Sequence, residues 1–257
     1  MKIRESAEPL TYGSYLRVPE LLDLQTPLAR PEVPDEMLFI LGQQAQELWF
    51  REVLYELRRI IDLLTHDEVL PAVRLLDRVN LILRILASET EVLGTIEPRD
   101  FHRFRGYLQK ASGFESQQFR ELEYASGLRD DAYLKLVSHM VDVEELGRSW
   151  PVSLAQAFRH VLAELAPDPA EAVARLYDDP VDEPGVHQLA DALVQYEQRF
   201  QEWRFRHIQV VDRIIGDRSP GTGGSGGSNY LLRTLTYRFF PELWEARNRL
   251  TAAHRER

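Results

Sequence analysis

Seven histidines occur in the 257-residue sequence, at positions 66, 102, 139, 160, 187, 207 and 254. None of them pair as H-x-x-x-H or H-x-x-E-H, so no zinc site is built on a single helix. Cysteine is absent, which removes disulfides, thiolate nucleophiles, iron–sulfur clusters and thiolate-ligated haem together. His207 stands out by its neighbours. In "RFQEWRFRHIQVVDRIIG", Phe200, Trp203, His207, Val210, Val211 and Ile214 fall on one helical stripe. Such a histidine is either a core side chain bonded to an adjacent helix or the single axial ligand of a haem. A cysteine-free all-α chain takes that ligand from His, Tyr or Met.

Two further stretches pose similar choices. In "DFHRFRGYLQKASGFES", Phe101 and Arg105 are four apart and project from one helix face. The arginine either lays its stem over Phe101, Phe104 and Tyr107 or offers a fork to a ligand carboxylate in an aromatic-lined pocket. In "MLFILGQQAQELWF", Gln43 and Gln44 sit mid-helix beside an apolar stripe. Exposed glutamines need no partner, whereas an inward one needs a hydrogen-bond partner or a ligand to supply it. The glycine-rich "GTGGSGG" at 221–227 looks at first like a phosphate cradle. No strand precedes it and no lysine closes it, so neither the P-loop nor the dinucleotide fingerprint is met.

The elements that must position these residues read as helices. Residues 1–34 carry prolines at 9, 19, 27, 31 and 34 and form an amino-terminal arm with short helical pieces. Leu16, Leu21, Leu22 and Leu24 give that arm an apolar face that needs a partner, a second subunit being one candidate. From Asp35 to about Leu64, apolar residues recur at three- and four-residue spacing, and Asp35-Glu36 suit the positive end of a helix dipole. A second long helix is expected over about 68–92 and a third from Pro98. Others are expected near 114–126, 129–141, 152–165, 169–177 and 186–216, with two short ones flanking Pro241. No strand pattern persists. The expectation is an all-α helical bundle, with residues 35–257 as one domain and 141–185 as its most irregular part and a possible small insertion.

Bulk properties narrow the function classes. Hydrophobic residues make up 44% of the chain and charged ones 28%, enough for a real core. A net charge of −10 argues against a nucleic-acid surface, which needs clustered positive charge. No apolar run approaches the roughly 20 residues of a membrane span, and "MKIRESAEPL" has no signal core. The expected setting is cytoplasmic, with no membrane and no nucleic-acid partner.

Taken together and in order, "LTYGSYLRVPELLDLQTPL", "DEMLFI", "QELWF", "FRGYLQKASGF", "FQEWRFRH", "RIIG", "GTGGSGG" and "FFPEL" resemble the tryptophan 2,3-dioxygenase family, haem enzymes that open the indole ring. The blocks cover roughly 10–125 and 195–245. The resemblance implies a helical bundle enclosing haem b, with L-tryptophan or a substituted tryptophan and dioxygen as substrates. It implies a homotetramer whose amino-terminal arms reach into neighbouring subunits. Carried over by residue, His207 is the proximal haem ligand, Phe39 and Phe101 line the substrate pocket, and Arg105 grips the substrate carboxylate. Thr222 contacts the ammonium group from a glycine-rich lid, whose backbone can approach the ligand closely and move on closure. Tyr12, Tyr15 and Leu16 fall where the arm enters a neighbour's active site.

The sequence departs from the family pattern at several positions. Gln43 stands where the family has a distal histidine; its carbonyl can accept the indole N–H, but an amide does not titrate and cannot serve as a base. Thr90 lies near the place of a haem-contacting tryptophan, Gly226 replaces a serine, and one residue is inserted near Ser219-Pro220. The expected reaction is 2,3-dioxygenation to N-formylkynurenine. Two alternatives are insertion of one oxygen at indole C2 or C3, giving an oxindole or hydroxylated product, and a non-catalytic haem-binding paralogue.

Overall fold

A computed structural model describes residues 9–109, 115–179, 181–217 and 228–255. Among these residues the regular structure is helical, with no strand. Two short helices, α1 (Tyr12–Leu16) and α2 (Val18–Leu22), precede the long α3 (Pro34–Thr65) and α4 (Val69–Leu93). Then come α5 (Pro98–Arg105), a 3-10 turn, α6 (Gln117–Ser126), α7 (Asp131–Val137), α8 (Val143–Ser149), α9 (Leu154–Ala163) and α10 (Pro169–Asp178). The chain closes with α11 (Pro184–Ile215), α12 (Ser228–Thr234) and α13 (Pro241–Arg255). No helix among the described residues is long and apolar enough to cross a membrane.

The helix starts follow local chemistry. Pro34 and Pro184 open α3 and α11, where a missing N–H costs nothing. Asp35 and Glu36 sit in the first turn of α3, against the positive end of its dipole. The stretch 141–185 holds α9 and α10, where helices were expected near 152–165 and 169–177, and also α8, which was not expected. Each is capped by a side chain that accepts from its first turn: Asp142, Ser153 and Asp168. Its prolines punctuate helices instead of dissolving them, because Pro169 and Pro184 stand at first-turn positions.

Helix α4 packs along both α3 and α11, and two apolar clusters result. The larger spans α3, α4, α6, α9, α10, α11 and α13, with Leu57, Leu76, Phe158, Leu193, Tyr196 and Phe240 fully buried. The smaller gathers Ala29, Val33, Leu93, Ile96, Phe101, Phe104 and Ile214, with Phe39 packed against it.

The amino-terminal segment is tied to the second cluster by polar contacts. Glu36, 1% exposed, accepts from the Leu28 N–H at 2.7 Å and the Ala29 N–H at 3.0 Å. The Tyr107 hydroxyl donates to the Arg30 carbonyl at 2.9 Å and accepts from the Arg30 N–H at 3.2 Å. One carboxylate on α3 and one phenol just past α5 thus hold three consecutive residues between them, Glu36 the first two and Tyr107 the third. Glu36→Ala leaves two amides without an acceptor, at about 1–3 kcal/mol for a buried one. Hydrogen exchange at Leu28 and Ala29 should accelerate strongly while amides in the middle of α3 stay protected. Unchanged exchange at both would show that Glu36 does not anchor the segment.

Candidate active site

A cavity of about 740 Å³ lies between α3, α4 and α11, within the range of about 300–1,000 Å³ usual for ligand sites. It separates the two apolar clusters. Down α3 the lining residues run Phe39, Gln43, Gln46, Phe50; down α11 they run Trp203, His207, Val210, Ile214. Phe39 and Ile214 mark the end formed by the small cluster, and Phe50 and Trp203 the end formed by the large one. Each series covers eleven residue-to-residue steps, roughly 16 Å of helix at about 1.5 Å per step. Thr90 and Leu93, near the end of α4, line the wall between them.

His207 is the one histidine among the described lining residues. Its ring stacks on Trp203 with centroids 5.6 Å apart and planes within 10°, which fixes the imidazole plane. Burial, helped by the nearby Arg120 charge, pushes its pKa down to about 4. The imidazole is therefore neutral across the physiological range and keeps a lone pair for a Lewis acid or a proton donor.

A charged group belongs to the same lining. Glu123 is inaccessible to solvent, and Arg120 and Arg204 are 5% and 4% exposed. Glu123 Oε1 accepts from Arg204 at 2.6 Å. Its Oε2 lies 2.7 Å from an Arg120 nitrogen and accepts from the Tyr133 hydroxyl at 2.8 Å. Arg204 also donates to the Thr234 carbonyl at 3.0 Å and lies 4.8 Å from the centre of the Phe200 ring. The same desolvation, with Glu123 alongside, drives the Tyr133 hydroxyl well above its usual range.

The expected site residues divide into three groups. Phe39, Gln43, Phe101 and His207 all line the cavity, as does Thr90, and Phe39 meets Phe101 edge-on at 6.0 Å. Arg105 is half-buried between Phe101 and Leu108, both lining residues, but is not itself among them. Tyr12, Tyr15 and Leu16 are exposed on α1 and do not line this chain's own cavity. Leu21 and Leu24 of the amino-terminal segment do. Thr222, Gly226 and the Ser219-Pro220 insertion lie outside the described residues.

The neighbouring glutamines have separate tasks. Gln43 faces the cavity, while Gln44 accepts from Gln25 at 2.6 Å and donates to the Leu24 carbonyl at 3.2 Å. Gln44 thereby latches the segment that closes the cavity. Sequence reading passed over Gln46, although it stands seven residues from Phe39 and so on the same face. Gln46 Nε2 and Trp203 Nε1 are buried donors without a partner among the described residues, and both residues line the cavity. Buried donors are ordinarily satisfied, so the site calls for an occupant that carries acceptors. The apolar side chains of the lining, the neutral imidazole and these two donors together fit an occupant that takes one nitrogen ligand and carries acceptors.

The low His207 pKa sets a pH dependence for the polypeptide free of any bound group. Above the unfolded value near 6.5 the ring is neutral in both states and contributes no difference. As pH falls from 6.5 toward 4, the unfolded chain takes the proton and the folded chain does not, so stability falls. The full difference is about 3 kcal/mol, from 1.4 kcal/mol per pH unit. Urea unfolding at pH 7 and pH 4.5 should show a smaller loss in His207→Asn than in the parent. Equal losses would place His207 in a solvated environment.

The family model described as tryptophan 2,3-dioxygenase matches residues 2–150 and 170–250. The intervening stretch coincides with α9 and its flanks, within the region read from the sequence as a possible insertion. A tryptophan 2,3-dioxygenase of Nocardioides sp. is 39% identical, with 96% of this chain and 97% of the relative aligned. That of Caulobacter vibrioides is 37% identical over 95% of this chain and 100% of the relative. That of Bacillus anthracis is 36% identical over 95% and 94%. The family description and these names all specify dioxygenation, so the one-oxygen outcome drawn from Gln43 gains no support.

Proposed function

The chain belongs to the tryptophan 2,3-dioxygenase family, and from that premise we propose that it opens the indole ring of L-tryptophan with dioxygen, giving N-formylkynurenine. The observation that carries this reading is the lining of one cavity. A neutral, ring-stacked His207 stands on α11, Gln43 on α3, and Phe39 and Phe101 at the small-cluster end.

In this reading the cavity holds haem b, with His207 as its proximal ligand and Gln46 and Trp203 as donors to its acceptor groups. The iron of that group supplies the redox chemistry that dioxygen needs to react with a closed-shell indole. The protein residues bind and orient the substrate. Phe39 and Phe101 form one apolar wall against the indole, and their edge-on packing on each other leaves them little freedom to yield. Arg105 holds the carboxylate with a charge-assisted fork, and Thr222 receives the ammonium group. Gln43 accepts the indole N–H through its amide oxygen, which orients the ring without removing its proton. The proton on indole nitrogen therefore stays in place, and both atoms of dioxygen enter the product as the C2–C3 bond breaks.

The exposed Tyr12, Tyr15 and Leu16 serve a neighbouring copy. In a homotetramer with exchanged arms they complete the partner's pocket, and their apolar surface is covered. Exposed Leu41, Leu48 and Tyr55, at seven-residue spacing on α3, and Leu81, Ile85 and Val92 on α4 give the same assembly a second apolar face. A cytoplasmic location accords with this assignment.

Haem titration tests the proposal. The parent should take up one haem per chain and show a histidine-type ferrous spectrum; His207→Ala should lose it, and an unchanged spectrum would assign the ligand elsewhere. Arg105→Ala should weaken tryptophan binding by more than about tenfold, since orphaning a buried charge costs about 2–5 kcal/mol. 1-Methyltryptophan, lacking the donor, should bind the parent worse than tryptophan does, and Gln43→Leu should narrow that gap. A gap that survives in Gln43→Leu would remove Gln43 from the indole nitrogen.

A further inference from the structure

Gly42 lies inside α3, in the turn that carries Phe39 and Gln43. Its backbone is helical, so nothing in its own conformation requires glycine, and a glycine at an interior helix position costs stability. Its neighbour is what requires it. A Cβ placed on residue 42 would sit 2.5 Å from Leu93 Cδ2, 3.0 Å from Cγ and 3.3 Å from Cδ1. The Leu93 side chain therefore lies in the notch that the missing side chain leaves on α3.

Leu93 ends α4 and is 5% exposed. It packs in the small cluster with Ile96, Phe101 and Ile214, and all four line the cavity. With α3 on one side and that cluster on the others, the unfilled direction is the cavity itself. Any side chain at position 42 would drive Leu93 there, toward the end where Phe39 and Phe101 stand. The side chains packed around Leu93 at this place, Ile96, Phe101 and Ile214, are aliphatic and aromatic.

We infer that the Gly42–Leu93 notch determines substrate specificity: it withdraws Leu93 from the indole end of the cavity and makes room for a small apolar substituent on the indole ring. The chain then accepts ring-methylated or ring-halogenated tryptophans alongside tryptophan. This rests on the tryptophan reading given above and adds to it the class of indole that the pocket admits. A hydroxyl or carboxyl in the same place would lose its water without gaining a partner.

The test is equilibrium titration of the haem-loaded protein with tryptophan and with 4-, 5-, 6- and 7-methyltryptophan, read from the haem absorption change. At least one methyl analogue should bind the parent within about threefold of tryptophan. In Gly42→Ala that analogue should weaken by about tenfold or more, the usual effect of one methyl group in an apolar pocket, while tryptophan shifts by less than about threefold. Gly42→Ala combined with Leu93→Ala should restore the analogue. Leu93→Ala alone, which asks nothing of α3, should favour methyl analogues over tryptophan relative to the parent. Equal weakening of tryptophan and analogues in Gly42→Ala, or no gain in Leu93→Ala, overturns the notch as a specificity device. Rejection of all four analogues by the parent overturns the substrate class. A parent whose haem spectrum ignores tryptophan itself overturns the tryptophan reading together with this inference, and that result is distinct from the other two.

Discussion

A buried carboxylate on α6 holds the site together. Glu123 takes bonds from Arg204 on α11 and Tyr133 on α7, and pairs with Arg120 one turn earlier on its own helix. Arg204 in turn reaches the carbonyl of Thr234 at the end of α12. Four helices thus meet at one charge that has no access to water. Removing one partner from such a group leaves an uncompensated buried ion, at about 3–5 kcal/mol. His207 follows Arg204 by three residues, so whatever fixes Arg204 fixes the turn that presents the imidazole.

The remaining geometry follows from α4. By packing on α3 and α11 together it acts as a spacer, and the two apolar clusters close the ends of the gap without filling its middle. The gap is then lined by what the two long helices turn toward it: amides on α3, and an imidazole flanked by indole and valine on α11. Burial and the Arg120 charge keep that imidazole unprotonated.

Much of this was legible in the sequence because helical period reports orientation. The spacing of Trp203, His207, Val210 and Ile214 placed them on one inward stripe, whereas Phe39 came from the family resemblance and Gln43 stayed open between exposed and inward; the structure lines one cavity with all six. Glu123 and its arginines were not legible. Arg120-x-x-Glu123 reads as an ordinary exposed i,i+3 pair, and only tertiary packing shows that it is buried. Gly42 was equally silent, since its role lies in Leu93, fifty-one positions away. In the proline-rich stretch 141–185 the helices near 152–165 and 169–177 were legible, since proline breaks a helix interior but starts a helix well, whereas the short α8 was not. Tyr12 and Tyr15 are exposed, and nothing among the described residues of the single chain covers their apolar surface.

The central claim is that this cavity, loaded with haem through His207, adds both atoms of dioxygen to tryptophan. The most direct measurement is the mass of the product formed from tryptophan under isotopically labelled dioxygen by the haem-loaded protein. The account predicts a ring-opened product carrying two labelled oxygen atoms. A product with one labelled atom and an intact ring, or unchanged tryptophan from a protein whose histidine-ligated spectrum is intact, would contradict it.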